Sequence, residues 1–363
     1  MVLKCDDKNK LKNVRFLPLK MNYLPTTLIF IGYSILTLIY VIKNKTEKIE
    51  NHLFVNEMLI AFLFLLAGIL FPFMIQYHSP YLPFESLSFL WFLTSLFFLI
   101  EMSVWIATLL YNTIVSKKNP EIMAERDYNN YCVEVTDRWI DDFKSEFGRK
   151  FLHLFTTFVI LFFWSLGTIL ENLGILSQYN LDNYSFSHWL IITIGFGFVI
   201  MFQVADLARL NKFYMLPNWA KRWLLSMRPE ELNTFLASTP LVLSLIPFIF
   251  APFPILASVA LITTGADAAA CLIGKKYGSH SLKKDSNKTI EGFITGGVTS
   301  FLIVLIVMNL YHVWMPVSFV KILLMAIVSA VLFLLVDFFA NHISDNILNP
   351  ILTGFGMWLI LLL

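Results

Sequence analysis

Charged residues are scarce in this sequence, since Asp, Glu, Lys and Arg make up only 14% of its 363 residues. Soluble domains contain about 25% charged residues. Hydrophobic residues make up 57% of the chain and include 35 Phe, and a water-soluble fold could not bury that much apolar surface. The composition therefore excludes an ordinary soluble protein and indicates an integral membrane protein.

The chain also has little net charge and few cysteines. A formal charge of +2, without a basic stripe interleaved with aromatic residues, predicts no nucleic-acid partner. Cys5, Cys132 and Cys271 lie far apart without metal-ligand spacing, so neither a disulfide framework nor a zinc site is expected. The first apolar run, from Leu24, is too long for the apolar core of a signal peptide and has no small-residue cleavage site behind it, so we expect no cleaved signal peptide.

Apolar runs long enough to cross a bilayer recur along the chain. They predict an all-α polytopic membrane protein with about ten transmembrane helices. The predicted spans are Leu24–Ile42, Met58–Ile75, Leu87–Tyr111, Phe151–Leu170, Trp189–Val204, Phe235–Phe250, Ile255–Ile273, Phe293–Leu310, Val317–Val336 and Ile351–Leu363. Residues 1–148 are interpreted as an N-terminal membrane region of about three spans plus a polar segment, and residues 149–363 as a second membrane domain.

From the fourth span onward, loops rich in lysine and arginine alternate with loops that contain neither. Asn112–Lys150 contains seven, Ala205–Thr234 five and Gly274–Gly292 five, whereas the intervening connections contain none. The positive-inside rule therefore predicts that these basic loops are cytoplasmic. Counting back places the basic N-terminal tail on the opposite side, against the rule, which suggests that one of the first three spans is a re-entrant or interfacial segment.

Asp267 is an ionisable residue inside an apolar run. Such a residue costs about 2.5–3.5 kcal/mol on insertion scales and usually faces the protein interior or a cavity. Asp267, Cys271 and Gly274 share one helix face, which is small apart from the carboxylate. That face has room for a cation or a phosphate, and the alternative is a close helix–helix seam with one polar tie.

Two short segments after Asp267 combine lysine with glycine. In GKKYG, Gly274 and Gly278 could let backbone N–H groups approach an anion, while Lys275 and Lys276 supply positive charge. The spacing is not that of a Walker A loop, and a basic loop of this kind is also typical of contact with lipid headgroups.

The second segment, NKTIEG, ends where the next apolar run begins. Lys288 is interpreted as a phosphate ligand, and Glu291 as a metal ligand or a residue that orients Lys288. The alternative is an ordinary helix start, with Thr289 as N-cap and Glu291 near the positive helix end.

A third cluster follows the penultimate span. Asp337, Asn341 and Asp345 recur every four residues and would share a face if the helix continues. With no lysine or arginine in this segment, the two carboxylates would repel each other unless a cation lay between them, and Mg²⁺ prefers oxygen ligands. Lysines elsewhere on this side could neutralise them instead.

Basic residues precede the fourth span and follow the fifth. Arg149 and Lys150 could anchor the helix at the interface or bind phosphate. His153, one turn further on, could bind phosphate, transfer a proton or only pack. Arg209, three residues after Asp206, is a further candidate phosphate ligand.

These segments occur in a recognisable order. RKFLH (Arg149–His153), DAAACLIGKKYG (Asp267–Gly278), KTIEG (Lys288–Gly292) and DNILNP (Asp345–Pro350) resemble the motifs of the CTP-dependent polyprenol kinase family, which includes dolichol, phytol and fungal CTP-dependent diacylglycerol kinases. The resemblance covers residues 149–363. The sequence departs from the family at Ala266 (family Gly), at Thr289 (family Ser), and at Asp337, where Glu is common.

A related family is also similar. CTP:phosphatidate cytidylyltransferases share a segment like NKTIEGF, but their acidic His-Gly-Gly signature is absent here. RKFLH and DNILNP favour the kinase. A transporter ranks third, because the sequence shows neither the inverted repeats nor the matched broken helices of transporters.

The resemblance implies an enzyme that transfers the γ-phosphoryl group of CTP to the hydroxyl of a polyprenol or dolichol-type isoprenoid alcohol. The alternatives are a CTP:phospholipid cytidylyltransferase and a diacylglycerol kinase. The implied location is a multi-pass membrane protein with its site on the cytoplasmic face, in the endoplasmic reticulum of a eukaryote or the cell membrane of a prokaryote. The implied partners are CTP, the lipid alcohol and membrane lipids.

The resemblance also implies residue roles. Asp267 and Asp345, helped by Asp337, would bind Mg²⁺, and Asp267, Asp345 or His153 would act as the general base. The residues expected around the nucleotide are Arg149, Lys150, Arg209, Gly274, Lys275, Lys276, Gly278, Lys288, Thr289, Glu291, Gly292 and Asn346.

Overall fold

The computed structural model describes residues 21–44, 51–140, 142–283, 288–340 and 343–363, without the side chains of 51, 52 and 152. These residues form helices and contain no extended strand, apart from an isolated bridge between Ser281 and Thr289. The helices are α1 Leu24–Lys43, α2 Asn51–Met74, α3 Phe84–Lys118, α4 Pro120–Glu125, α5 Tyr128–Arg138, α6 Phe143–Asn172, α7 Asn183–Lys212, α8 Asn218–Leu224, α9 Ser238–Ser244, α10 Phe253–Leu261, α11 Asp267–Tyr277, α12 Ile290–Leu310, α13 Phe319–Phe339 and α14 Asp345–Leu362.

Nine helical segments in the described part of the chain are long and apolar enough to cross a membrane. They confirm the predicted all-α polytopic membrane protein. The sixth of the ten predicted spans, Phe235–Phe250, is instead the short helix α9 followed by the 3₁₀ turn Ile246–Phe250. Pro247 explains the break, because it lacks an N–H and its ring clashes with the carbonyl one turn earlier.

The connections between helices gather at two ends of the bundle. At one end, hereafter the charged end, Arg228 pairs with Glu146, Lys150 with Asp267, and Lys288 with Asp337. The three basic loops meet there, as their common charge predicts.

The connections poor in lysine and arginine meet at the opposite end. Ser79 Oγ donates to Asp182 at 2.7 Å, and the rings of Phe253 and Tyr311 lie 4.9 Å apart. His78 Nε2 lies 3.1 Å from the carbonyl oxygen of Ile249, so the short α9 segment reaches this end.

The first three helices all run between these two ends. Asn22, just before α1, donates to the carbonyl of Ser88 near the start of α3, at 3.1 Å. Both helices therefore begin at the end that contains Ser79, opposite the charged end. Near the start of α2, Asn56 accepts from the backbone N–H of Ser344 at the charged end. The suggestion that one of these spans is re-entrant or interfacial is therefore wrong. Residues 1–20, whose charge prompted it, lie outside the described residues.

The N-terminal helices share a core with the later ones. Phe30 of α1 packs on Phe196 of α7 with ring centroids 4.3 Å apart. Gln203 of α7 donates to Thr37 of α1 at 2.8 Å. Side-chain hydrogen bonds between apolar helices help to fix their contacts in membranes, so these pairs hold the first helices against the part of the chain that contains the motifs.

Candidate functional site

The central contact of the charged end joins two motifs that lie far apart in sequence. Lys150 Nζ of α6 forms an ion pair with Asp267 Oδ2, 117 positions later. The Lys150 side chain is 8% exposed and that of Asp267 is 20% exposed. Because most of both groups is removed from water, the lysine compensates a carboxylate that would otherwise be expensive at this depth.

A π-helical turn, Ile262–Ala266, delivers Asp267 to this position. It interrupts the otherwise continuous helix formed by α10 and α11, and such turns are frequent at functional sites. Thr264 in this turn hydrogen-bonds to Thr157 of α6, with the hydroxyl oxygens 2.7 Å apart. The turn is thereby tied to the same helix that presents Lys150.

Asp345 is the third charged group of this cluster. It lies within electrostatic range of Asp267, Lys150 and Lys288. It occupies the first turn of α14, where the helix dipole favours an anion. The side chain of its neighbour Asn346 donates to Asp345 Oδ1 at 3.3 Å. The structure therefore brings together the two carboxylates that the sequence predicts as metal ligands.

These two carboxylates suit a hard divalent cation that also binds phosphate. In the described part of the chain, no group of three or more His, Cys, Asp and Glu has the arrangement of a metal site. Mg²⁺ commonly takes only one or two protein carboxylates and completes its shell with substrate phosphates and water. Asp267 and Asp345 fit that pattern. Two carboxylates are too few for a metal site made of protein ligands alone.

Lys288 and Asp337 lie together beside this cluster. Lys288 Nζ is 2.7 Å from Asp337 Oδ1 and 2.7 Å from the Asp337 carbonyl oxygen. Lys283 Nζ bonds to the carbonyl of Phe338 and lies 4.2 Å above its ring. Both lysines therefore meet the negative C-terminal end of α13. Asn341, the other member of the four-residue pattern, lies outside the described residues.

Glu146 organises a second network that sequence reasoning missed. It is fully buried and accepts from Arg149 Nη2 at 2.9 Å and from Arg228 Nη2. Cys271 Sγ approaches the same carboxylate at 3.5 Å. Arg149 also pairs with Glu231 at 3.7 Å. The one available sequence signal is the position of Glu146, one turn before RKFLH.

Arg228 shows how strongly this network holds its charges. Burial alone would lower the pKa of Arg228, but the hydrogen bond and charge of Glu146 raise it above the ordinary arginine value. The loop that carries Arg228 and Glu231 is thus fastened to the start of α6, beside Lys150 and His153. His153 is 8% exposed, and its Nδ1 is buried without a hydrogen-bond partner among the described residues.

Arg209 is buried and already paired, which does not suit its predicted role as a phosphate ligand. It is 1% exposed and pairs with Asp206 at 2.8 Å. It also donates to the carbonyls of Leu232 and Thr234, while Asp206 Oδ2 accepts from the N–H of Leu236 at 2.6 Å. These contacts make Arg209 a brace for the loop 232–236, and the structure shows no contact between it and the Asp267 cluster.

Gly274 of GKKYG and Gly292 of NKTIEG lie where α11 and α12 pack closely together. A Cβ atom on Gly274 would lie 2.8 Å from Thr289 Oγ1, and one on Gly292 would lie 2.6 Å from the Ala270 carbonyl oxygen. Thr289 caps α12 by accepting from the N–H of Gly292. Gly274 thus matches the helix–helix seam that the sequence left as the alternative for the Asp267 face, and Gly292 lies at the same contact.

The remaining predicted nucleotide-binding residues lie at the rim. Lys275 and Lys276 are exposed, and Lys276 Nζ lies 5.1 Å from the centroid of the Tyr277 ring. Glu291 accepts from His280 Nδ1 at 2.7 Å and from the N–H of Ser279 at 3.1 Å. Glu291 therefore closes the loop after Gly278, and its described contacts do not include Lys288.

Fold and site together define a polytopic helical membrane protein with a carboxylate–lysine cluster at one end of the bundle. No protein-family model, curated protein or solved structure matches the chain.

Proposed function

We propose that the protein is a CTP-dependent lipid kinase that phosphorylates the terminal hydroxyl of a polyprenol or dolichol-type alcohol. One observation carries the proposal. Lys150 of RKFLH pairs with Asp267 of DAAAC, and Asp345 of DNILNP lies within electrostatic range of both. Motifs that resemble those of one kinase family in sequence thus meet in space at a single charged end.

The charge balance of this cluster suits phosphoryl transfer, which depends on positioning and charge neutralisation. Lys150 and Lys288 are already held beside carboxylates. We expect their ammonium groups to turn towards the phosphate oxygens of a bound nucleotide and to offset part of its negative charge. Exposed Lys275 and Lys276 would contact the nucleotide from the rim. Arg209 is left out, because Asp206 and two backbone carbonyls occupy it.

Asp267 and Asp345 would hold Mg²⁺, which supplies charge neutralisation at the β- and γ-phosphates when bound. Asp337, paired with Lys288, would act by positioning that lysine. The lipid hydroxyl oxygen forms the new bond to the γ-phosphorus while the bond from that phosphorus to the β–γ bridging oxygen breaks, and CDP leaves. His153, whose Nδ1 has no described partner, accepts the hydroxyl proton.

The site is proposed to face the cytoplasm, because the three basic loops meet at the charged end. The membrane would be the endoplasmic reticulum of a eukaryote or the cell membrane of a prokaryote. The choice of CTP rests on the resemblance alone, and so does the choice of an isoprenoid acceptor.

The test is an assay of purified protein with Mg²⁺, nucleotide labelled at the γ- or α-phosphate, and a series of lipid alcohols. We expect a lipid monophosphate labelled from γ-labelled CTP, with less product from ATP. A lipid that carries labelled CMP, with release of pyrophosphate, would instead establish a cytidylyltransferase. Phosphorylation of diacylglycerol alone would reassign the acceptor.

The Asp267→Asn variant tests the site. It removes a charge from the cluster with almost no change of shape, so turnover should fall at least about a hundredfold, while expression in the membrane persists. Asp137→Asn is the matched control, because Asp137 is exposed on α5. Equal activity of the two variants would refute the assignment of Asp267.

A further inference from the structure

A large apolar chamber lies beside α6. Its volume is about 470 Å³, within the range of about 300–1,000 Å³ that is usual for ligand sites. The walls come from α6, α7, α8 and the α9–α10 segment, and no charged side chain is among the described residues that line it. Representative lining residues are Phe155, Val159, Ile192, Gly195, Val242 and Leu256.

The chamber reaches the outer surface of the bundle. Four aromatic residues of its lining are themselves exposed: Phe151 at 63%, Phe155 at 46%, Trp219 at 52% and Trp223 at 64%. The two tryptophans are four residues apart on the short helix α8, and tryptophan favours the membrane–water interface. An apolar opening at this level is accessible to a molecule that diffuses within the bilayer.

The inner wall of the chamber leads along α6 towards the charged cluster. Ile160 and Thr156 line the chamber, and His153 and Arg149 continue the same stripe at helical spacing of three and four residues. His153 is 8% exposed and its Nδ1 has no described partner. A buried polar atom without a hydrogen-bond partner favours the binding of a ligand that can form one hydrogen bond with it.

A second wall makes the same connection. Ser226 and Met227 line the chamber, and the next residue, Arg228, bonds to Glu146 of α6. Glu146 in turn binds Arg149, one turn before His153. The chamber therefore has apolar walls in the membrane and ends at ion pairs of the charged end.

We propose that this chamber binds the apolar chain of the lipid alcohol, with the hydroxyl placed at His153. The inference rests on the proposed kinase function and adds the location of its acceptor. A single-hydroxyl lipid suits the chamber, because the described residues of its walls include few polar side chains and no charged one. The hydroxyl would arrive one helical turn beyond Thr156, on the side of α6 that continues to Lys150 and Asp267.

The first test is photolabelling of the unmodified chain with a diazirine-bearing polyprenol in vesicles of phosphatidylcholine, without nucleotide. We expect labelled peptides from α6 and α7 within the chamber wall. Unlabelled polyprenol should compete, although the phosphatidylcholine of the vesicles is already in large excess over the probe. Labelling elsewhere only, or labelling that unlabelled polyprenol does not reduce, would overturn the proposal.

Gly195→Leu tests the chamber by filling it. A Cβ atom at Gly195 would meet only Val242 Cγ1, at 3.6 Å, so the backbone tolerates a side chain that then takes chamber volume. Gly32→Leu is the matched control, because Gly32 is also a half-buried glycine of a membrane helix and a Cβ atom there meets nothing within 4 Å.

Gly195→Leu should reduce photolabelling and raise KM for the lipid alcohol about tenfold, with KM for CTP unchanged. Gly32→Leu should leave both at the value of the original chain. Thr156→Phe, on the opposite wall, gives the same test if Gly195→Leu does not fold. Equal labelling of the filled and control variants overturns the chamber. Displaceable labelling without phosphorylation by any nucleotide confirms the chamber and refutes the kinase.

Discussion

Replacing Arg209 by methionine should destabilise the protein strongly. Arg209 and Asp206 are 1% and 0% exposed, so the substitution leaves a buried carboxylate without its cation. Breaking a buried pair by removing one partner costs about 3–5 kcal/mol. The carbonyls of Leu232 and Thr234 also lose their donor, which places the expected loss of unfolding free energy towards the upper end of that range.

The double variant Asp206→Asn/Arg209→Met should recover much of this loss. Asparagine is neutral, and its carbonyl oxygen can still accept the N–H of Leu236, which lies 2.6 Å from Asp206 Oδ2. We therefore expect the double variant to be more stable than Arg209→Met alone. Two independent single effects would instead add and make it less stable.

The assay is reversible unfolding in mixed micelles, followed by circular dichroism, together with KM for CTP in the folded fraction. The brace interpretation predicts a loss of stability with nearly unchanged KM. A stable Arg209→Met protein with a strongly raised KM for CTP would refute it and restore Arg209 as a phosphate ligand. A double variant less stable than the single one would also contradict the reasoning.

Three further outcomes are expected. Gly292→Ala should lower the free energy of unfolding by about 1–3 kcal/mol, because its Cβ would lie 2.6 Å from the Ala270 carbonyl oxygen. Gly148→Ala is the control, since a Cβ atom there meets nothing within 4 Å, and it should be neutral or slightly stabilising in the same unfolding assay. His280→Ala should change stability by less than about 1 kcal/mol, since His280 is 74% exposed, and a larger effect would show that the Glu291 contact is structural. Chelation of divalent cations should abolish phosphoryl transfer and Mg²⁺ should restore it, and full activity in the chelator would exclude the metal role of Asp267 and Asp345.

Much of the helix pattern could be predicted from local sequence. The length of an apolar run and its hydropathy are properties of neighbouring residues, and so is the cap that Thr289 provides for α12. The segment Phe235–Phe250 was the exception, because the effect of Pro247 on a helix outweighed the apolar composition of the run. The re-entrant segment suggested by loop charge was wrong because charge counting alone says nothing about where a helix packs.

The residues of the candidate site could be predicted from the sequence more easily than the contacts between them. Asp267, Lys150 and Asp345 stand out because charges in apolar surroundings are expensive. Glu146 and Arg228 did not stand out, although their ion pair fastens a loop beside the cluster. Gly274 could serve either a phosphate or a helix seam, and only its distance from Thr289 and Gly292 places it at the seam.

By itself, the sequence determined that this is an all-α polytopic membrane protein, because the apolar composition and the lengths of its runs leave few other ways to satisfy the backbone in a bilayer. Only the tertiary structure decided that Lys150 meets Asp267, that Arg209 is occupied by Asp206, and that an apolar chamber lies along α6. Ion pairs and cavities depend on which helix faces come together, and residues 117 positions apart carry no local signal of that contact.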